Sequence, residues 1–396
     1  MSVATETPRP SGSPDSQRLP LIVAGLLVVV LAVAAGQAGG MKLFGAAVIG
    51  AFAGLALYHA AFGFTAAWRR LVRERRGAGL RAQMLLIALT IMVSYPLLAI
   101  GRDIGLPTGG FVFPFGVAAA IGAFVFGIGM QLGGGCGSGT LFTAGGGSTR
   151  MMVTLAAFIA GSLIATVHLH WWNTLPRFSA YSVVRNFGLP MALIGTLTML
   201  ALITAITVLI ERRAHGTLQE TKPTGSLLKG PWSLYLGAVA LALVCIATFL
   251  VLQRPWGITS AFALWGGKIA WTLGVPIDSW PYWENQMARV ERTVLTDATS
   301  VMNFGIMAGA LGAAALAGRY RPVLSLSTRD IATAIIGGLM MGYGARLAYG
   351  CNIGGYLGGI VSGSLHGWWW LVFGFAGSVV GTRLRAIVGM DPKTGP

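Results

Sequence analysis

Two cysteines with matching neighbours, 215 residues apart, are the residues of this chain best placed to do chemistry. The first stands in Gly127-Ile-Gly-Met-Gln-Leu-Gly-Gly-Gly-Cys136-Gly-Ser-Gly139 and the second in Gly342-Tyr-Gly-Ala-Arg-Leu-Ala-Tyr-Gly-Cys351-Asn-Ile-Gly354. Identities at Gly127/Gly342, Gly129/Gly344, Leu132/Leu347, Gly135/Gly350, Cys136/Cys351 and Gly139/Gly354 keep that one offset. A single GxxCxxG in an apolar stretch reads as close helix packing. Its recurrence at a fixed offset points instead to a site made twice. Upstream in each half, Phe62-Gly-Phe-Thr65 echoes Trp256-Gly-Ile-Thr259.

The chemistry on offer is anion binding. Glycines let successive backbone N–H groups converge on one ligand, and helix N-termini favour negative charge. Thr140, Ser138 and Asn352 add short polar groups, as do Thr65 and Thr259, while Gln131 and Arg346 hold equivalent positions ahead of the cysteines. Neither motif contains a carboxylate, which argues against a metal-cation path. A free thiol ionises at about pH 8.5 and is mostly neutral at pH 7, so it does not repel an anion. It offers a weak S–H donor and a soft acceptor, which suits a polarisable sulfur ligand. With three cysteines in all, no CxxC pair and no metal-ligand cluster, neither a cofactor nor a metal is expected. A thiol enzyme, a sulfurtransferase or oxidoreductase, would need a base or resolving thiol near one cysteine. Neither motif has one in sequence, although His366 beside Cys351 would supply it. Cys245, inside VALALVCIATFLV, reads as a packing residue.

The elements that position these motifs are membrane helices. Only 10% of residues are charged and 55% are hydrophobic, where a soluble domain carries about 25% charged residues. Apolar runs of the length needed to cross a bilayer lie near 21–38, 43–61, 82–100, 112–131, 151–169, 190–210, 231–252, 299–317, 331–349 and 367–385. The net charge of +16 belongs to short loops between spans rather than to a nucleic-acid surface. With the N-terminus inside, alternation places 19 of the 28 basic residues on the inner side and 8 outside, with Arg346 at a span end. That bias predicts an even number of spans and cytoplasmic termini. Residues 1–20 read as disordered and 21–42 as an extra first, uncleaved helix. A first repeat covers 43–170, a connecting helix and cytoplasmic loop 171–230, an inverted second repeat 231–386, and a cytoplasmic tail 387–396. Trp368, Trp369 and Trp370 read as an interface anchor.

Five spans separate the starts of the two units, so they run in opposite directions. The class is an all-α polytopic membrane protein, with about ten transmembrane helices in two inverted repeats and re-entrant Gly/Cys loops. Such loops cannot face lipid with unpaired backbone groups. Inverted repeats that place a site at broken helices are a transporter architecture.

The segments GMQLGGGCGSGTLFTAGGG (129–147) and GYGARLAYGCNIGGYLGGI (342–360), with FGFTAAWRR (62–70) and the GIT at 257–259, resemble the YeeE/YedE family of bacterial sulfur-compound transporters. The resemblance implies an hourglass-shaped protein that takes up thiosulfate past thiols, here Cys136 and Cys351. It also implies a third cysteine in a pattern like RFCLTGGFR, where this chain has Gly63, and an arginine where it has Ala61. The permeant therefore stays open between thiosulfate, sulfide, a selenium compound and another small sulfur anion. A cytoplasmic sulfur-carrier protein, docking on the basic loops at 69–81 and 211–230, is a partner the resemblance implies.

Overall fold

The computed structural model describes residues 14–221, 224–322 and 325–391. The chain runs as α1 (Pro14–Gly39), α2 (Met41–His59), α3 (Phe64–Glu74), α4 (Ala78–Ile100), α5 (Val117–Gly133), α6 (Gly137–Gly145), α7 (Thr149–Trp172) and α8 (Val183–His215). It continues as α9 (Leu234–Leu252), α10 (Thr259–Thr272), α11 (Met287–Glu291), α12 (Ala298–Leu316), α13 (Thr328–Leu347), a π-helical segment (Asn352–Leu357), α14 (Gly358–Val361) and α15 (Leu365–Ile387). Each of the ten expected spans falls on one long helix. Among the described residues, nine helical segments are long and apolar enough to cross a membrane. The tenth, α15, is 23 residues long but carries tryptophans, glycines and terminal arginines that lower its hydropathy.

One expectation shifts at the N-terminus. Residues 14–20 are helical, with Pro14 at the first position, where a missing N–H leaves nothing unsatisfied. The rest of the stretch read as disordered, the tail 392–396, and the charges Arg9, Lys222 and Lys393 lie outside the described residues.

Packing follows a two-fold scheme. α5 packs on α15 as α13 packs on α7, α2 on α12 as α9 on α4, and α5 and α13 cross each other. The shared glycines explain why. A Cβ at Gly127 would strike Gly374 and Ser378 on α15, and one at Gly342 would strike Phe158 and Ser162 on α7. Cβ atoms at Gly129 and Gly344 would collide across the α5–α13 crossing. Gly50 and Gly54 meet Gly305 and Gly309 by the same close approach between α2 and α12, the small-residue contact that membrane helices favour. The additional helix α1 lies against α12 as α8 lies against α4, so it fills the symmetry-related place. α8 is broken at Gly188 (φ 75°, ψ 167°), just ahead of Pro190. At the far end of α8, fully buried Glu211 accepts from Arg81 (2.8 Å), Arg76 (3.1 Å), and the Gly77 and Gln219 amides.

Candidate functional site

Each cysteine stands where a membrane helix stops and a short one starts. α5 ends at Gly133 and Cys136 caps α6; α13 ends at Leu347 and Cys351 caps the π-helical segment. Their backbones nearly coincide, at φ −83°, ψ −167° for Cys136 and φ −90°, ψ −166° for Cys351. The glycine one before each cysteine is needed because the chain folds back on itself there. A Cβ at Gly135 would lie 3.1 Å from the Gly139 carbonyl carbon, and one at Gly350 would lie 2.5 Å from Gly355 N and 2.8 Å from the Gly354 carbonyl carbon. π-type turns of this kind often mark functional sites.

The two breaks meet. Cys351 Sγ lies 2.9 Å from the point a Cβ on Gly137 would occupy, so the second thiol sits against the residue that follows the first. Cys136 Sγ is 3.4 Å from Ser138 Oγ and 3.6 Å from the Cβ point of Gly139. Both cysteines are buried. Ile258 of the second GxT segment touches the same place, with its Cγ2 3.4 Å from the Gly137 Cβ point, and Asn303 on α12 donates to the Ile258 carbonyl at 3.0 Å. Fully buried Asn352 has neither side-chain polar atom partnered among the described residues, and Thr65 Oγ1, Tyr356 Oη and Asn303 Oδ1 are likewise unpartnered. Burying such atoms costs free energy unless something bonds them, so each is able to bond a polar ligand that reaches it.

Other expected residues divide. Thr140 Oγ1 bonds the Cys136 carbonyl at 2.8 Å, within its own turn. Gln131 turns into the protein and donates to Thr65 O (3.1 Å) and Ser378 Oγ (2.7 Å). Its counterpart Arg346 instead faces a cavity of about 730 Å³, where it donates to Tyr282 Oη at 3.0 Å. Thr259 and Gly354 line that cavity, together with Gly257, Arg254 and Arg289. Its carboxylate, Asp297, is taken up by Arg289 at 3.1 Å and by Ser300. The balance is positive, and the Tyr282 phenol registers it: burial raises its pKa, yet the facing Arg346 charge helps bring the net shift downward. The opposite repeat has a cavity of about 70 Å³ at Gly63, and next to it a basic one of about 760 Å³ that includes Arg70, Arg73, Arg76 and Arg213.

Three features escaped the sequence. Arg254 and Arg289 register there only as loop charges. Arg150 donates to the Leu132 and Gly133 carbonyls (2.8 Å each) and Arg385 to the Gln131 carbonyl (2.6 Å), so guanidinium groups hold the end of α5 just ahead of Cys136. Trp370 is not an interface anchor. It is 1% exposed, and its indole donates to the Gly350 carbonyl at 3.0 Å, because α15 turns this face onto the second break. His366 bonds Ser364 Oγ at 2.9 Å and packs on Phe113 and Tyr349; no bond joins it to Cys351 among the described residues.

Paired broken helices with cysteines at the breaks, inside an all-α polytopic bundle of inverted repeats, define a membrane protein of the transporter class. A family model described as sulphur transport matches residues 59–380, and the chain belongs to that family. It is 32% identical over 156 residues to the probable transporter YedE of Escherichia coli, a match that covers 39% of this chain and 38% of that protein. It is 30% identical over 273 residues to the thiosulfate transporter TsuA of Spirochaeta thermophila (66% of this chain, 76% of that one). The TsuA of E. coli is 24% identical over 274 residues, covering 66% and 72%. The matched stretch thus spans under two-fifths of YedE and about three-quarters of TsuA.

Proposed function

We propose that this chain carries a small sulfur-containing anion, thiosulfate foremost, across the bacterial inner membrane along a path between Cys136 and Cys351. The observation that carries this reading is the contact of the second thiol with the residue following the first. The anion enters the arginine-lined cavity, passes Thr259 and Gly354, and meets the thiols where Gly135, Gly139, Gly350 and Asn352 present N–H groups. Thr65 continues the path on the other side. Gln131 and Thr140 act through the backbone, holding the GxT segment and the Cys136 turn. Arg346 supplies charge at the cavity wall. Both termini lie in the cytoplasm, where the basic cavity would receive a sulfur-carrier protein. The absence of a thiol at Gly63 supports a second reading, in which the permeant is sulfide or a selenium compound.

Labelled thiosulfate uptake tests the proposal in cells lacking other sulfate and thiosulfate transporters. Cys136→Ala or Cys351→Ala should abolish uptake at normal expression, and Cys245→Ala, buried on α9, should leave it intact. Uptake that survives both alanine changes rejects the thiol path.

A further inference from the structure

The arginine-lined cavity does not reach the second thiol. Cys351 is fully buried and is not part of the cavity wall. On the cavity wall, Phe111 meets both segments that flank the second break. The irregular chain from α4 to α5 runs to the second break and lays the Phe111 ring over two glycines. The ring comes 3.5 Å from the Cβ point of Gly257 and 3.1 Å from that of Gly358, while Gly354 lies 3.9 Å from Gly257 Cα by the same measure. Gly257 belongs to the GxT segment and Gly358 to α14, which continues the cysteine-led helix, so the ring spans the seam between them. Ile258, on the cavity wall beside that seam, brings its Cγ2 to 3.4 Å from the Gly137 Cβ point, against which Cys351 Sγ lies at 2.9 Å. Beside it, Phe113 stacks on Tyr349 at 4.8 Å and 12°. The strap is lightly tied, with the Phe111 amide on Ser362 Oγ (2.8 Å) and the Gly109 amide on the Gln253 carbonyl (2.9 Å).

We infer that Phe111 is the gate between the cavity and the Cys351 thiol. With the ring seated, the seam is shut; with the ring displaced, a small anion passes and a bulky one does not. A glycine seat lets an aromatic ring lie flush without interlocking, so the ring can leave at little steric cost. The inference rests on a path past Cys351, but its test reads access to the sulfur rather than transport.

The test uses the full chain in membranes, with Cys136→Ala and Cys245→Ala leaving Cys351 as the only thiol. A small anionic methanethiosulfonate reagent is added from the cavity side, and the mixed disulfide at Cys351 is followed by mass spectrometry. Because the rate follows the open fraction, Phe111→Ala should label at least about tenfold faster than the Phe111 form, with Phe111→Leu between them. Phe115→Ala, whose ring packs away from the seam on Phe178 and Trp369, should not change the rate. Equal rates for Phe, Leu and Ala at position 111 would overturn the gate, as would an equal rise with Phe115→Ala. Absent thiosulfate uptake with the expected labelling series would reject the transport reading and leave the gate standing.

Discussion

Gly134 and Tyr349 occupy the same place in the two repeats, and both hold a left-handed backbone, at φ 90° and 59°. In the first repeat the residue is one that adopts this conformation freely. In the second it is a tyrosine, for which the conformation is strained. Its ring is held on Phe113 and against His366, so packing over-determines the backbone. The strain has been kept where the side chain borders the cavity and the gate.

Two substitutions separate ring from backbone. Tyr349→Ala removes the stack and keeps the unfavourable φ; Tyr349→Gly removes both. Tyr349→Gly should therefore be the more stable of the two by about 1 kcal/mol, read as thermal unfolding in detergent. The reverse order would show that position 349 carries no backbone strain.

Glu211 should be the most costly single charge to remove. It is fully buried and accepts from two guanidinium groups and two amides. Glu211→Gln leaves Arg81, itself 9% exposed, without its counter-charge, and breaking a buried pair this way costs about 3–5 kcal/mol. Normal yield and unchanged thermal stability of the variant would refute this.

The helices were legible because a bilayer imposes long apolar runs, and the repeat because both cysteine breaks need glycine at the same places. Tertiary placement was not legible. α3 and α10 are too short to register as spans, Trp370 differs from its neighbours only in which face of α15 meets the break, and Arg254 and Arg289 come together through an irregular segment without periodicity. Gln131 and Arg346 show the limit of the repeat: equivalent in sequence, one is turned into the protein and the other to the cavity.

At Gly63, where the family resemblance implies a cysteine, there is room for one. The backbone is extended (φ −114°, ψ 117°), and the nearest atoms to an added Cβ are Ala66 Cβ at 3.6 Å, Ala66 N at 3.9 Å and Ala61 O at 4.0 Å. Gly63→Cys should fold normally and raise thiosulfate uptake, since it adds a soft donor to the proposed path. Normal folding with unchanged or lower uptake would mean that position 63 does not limit the passage of thiosulfate.

The four motif glycines give the sharpest separation of fold from function. Gly135 and Gly350 face backbone atoms that cannot move aside. A methyl at Gly350 would meet Gly355 N at 2.5 Å, and at φ 155° an L-residue is strained as well. Gly139 and Gly354 are different. A methyl on Gly139 has Cys136 Sγ at 3.6 Å as its nearest neighbour, and one on Gly354 has Gly257 Cα at 3.9 Å; both are ordinary contacts. Gly350→Ala should lower thermal stability or yield, with overpacking and backbone strain each contributing about 1–3 kcal/mol. Gly135→Ala should do so less, because its contacts begin at 3.1 Å. Gly139→Ala and Gly354→Ala should keep the wild-type melting temperature and still lose uptake, because each puts a methyl beside a thiol or on the cavity floor, on the path proposed for the permeant. Fluorescence-detected melting in detergent, run beside labelled thiosulfate uptake, reads both quantities. If Gly139→Ala and Gly354→Ala transport as well as wild type, the path does not run past the two breaks.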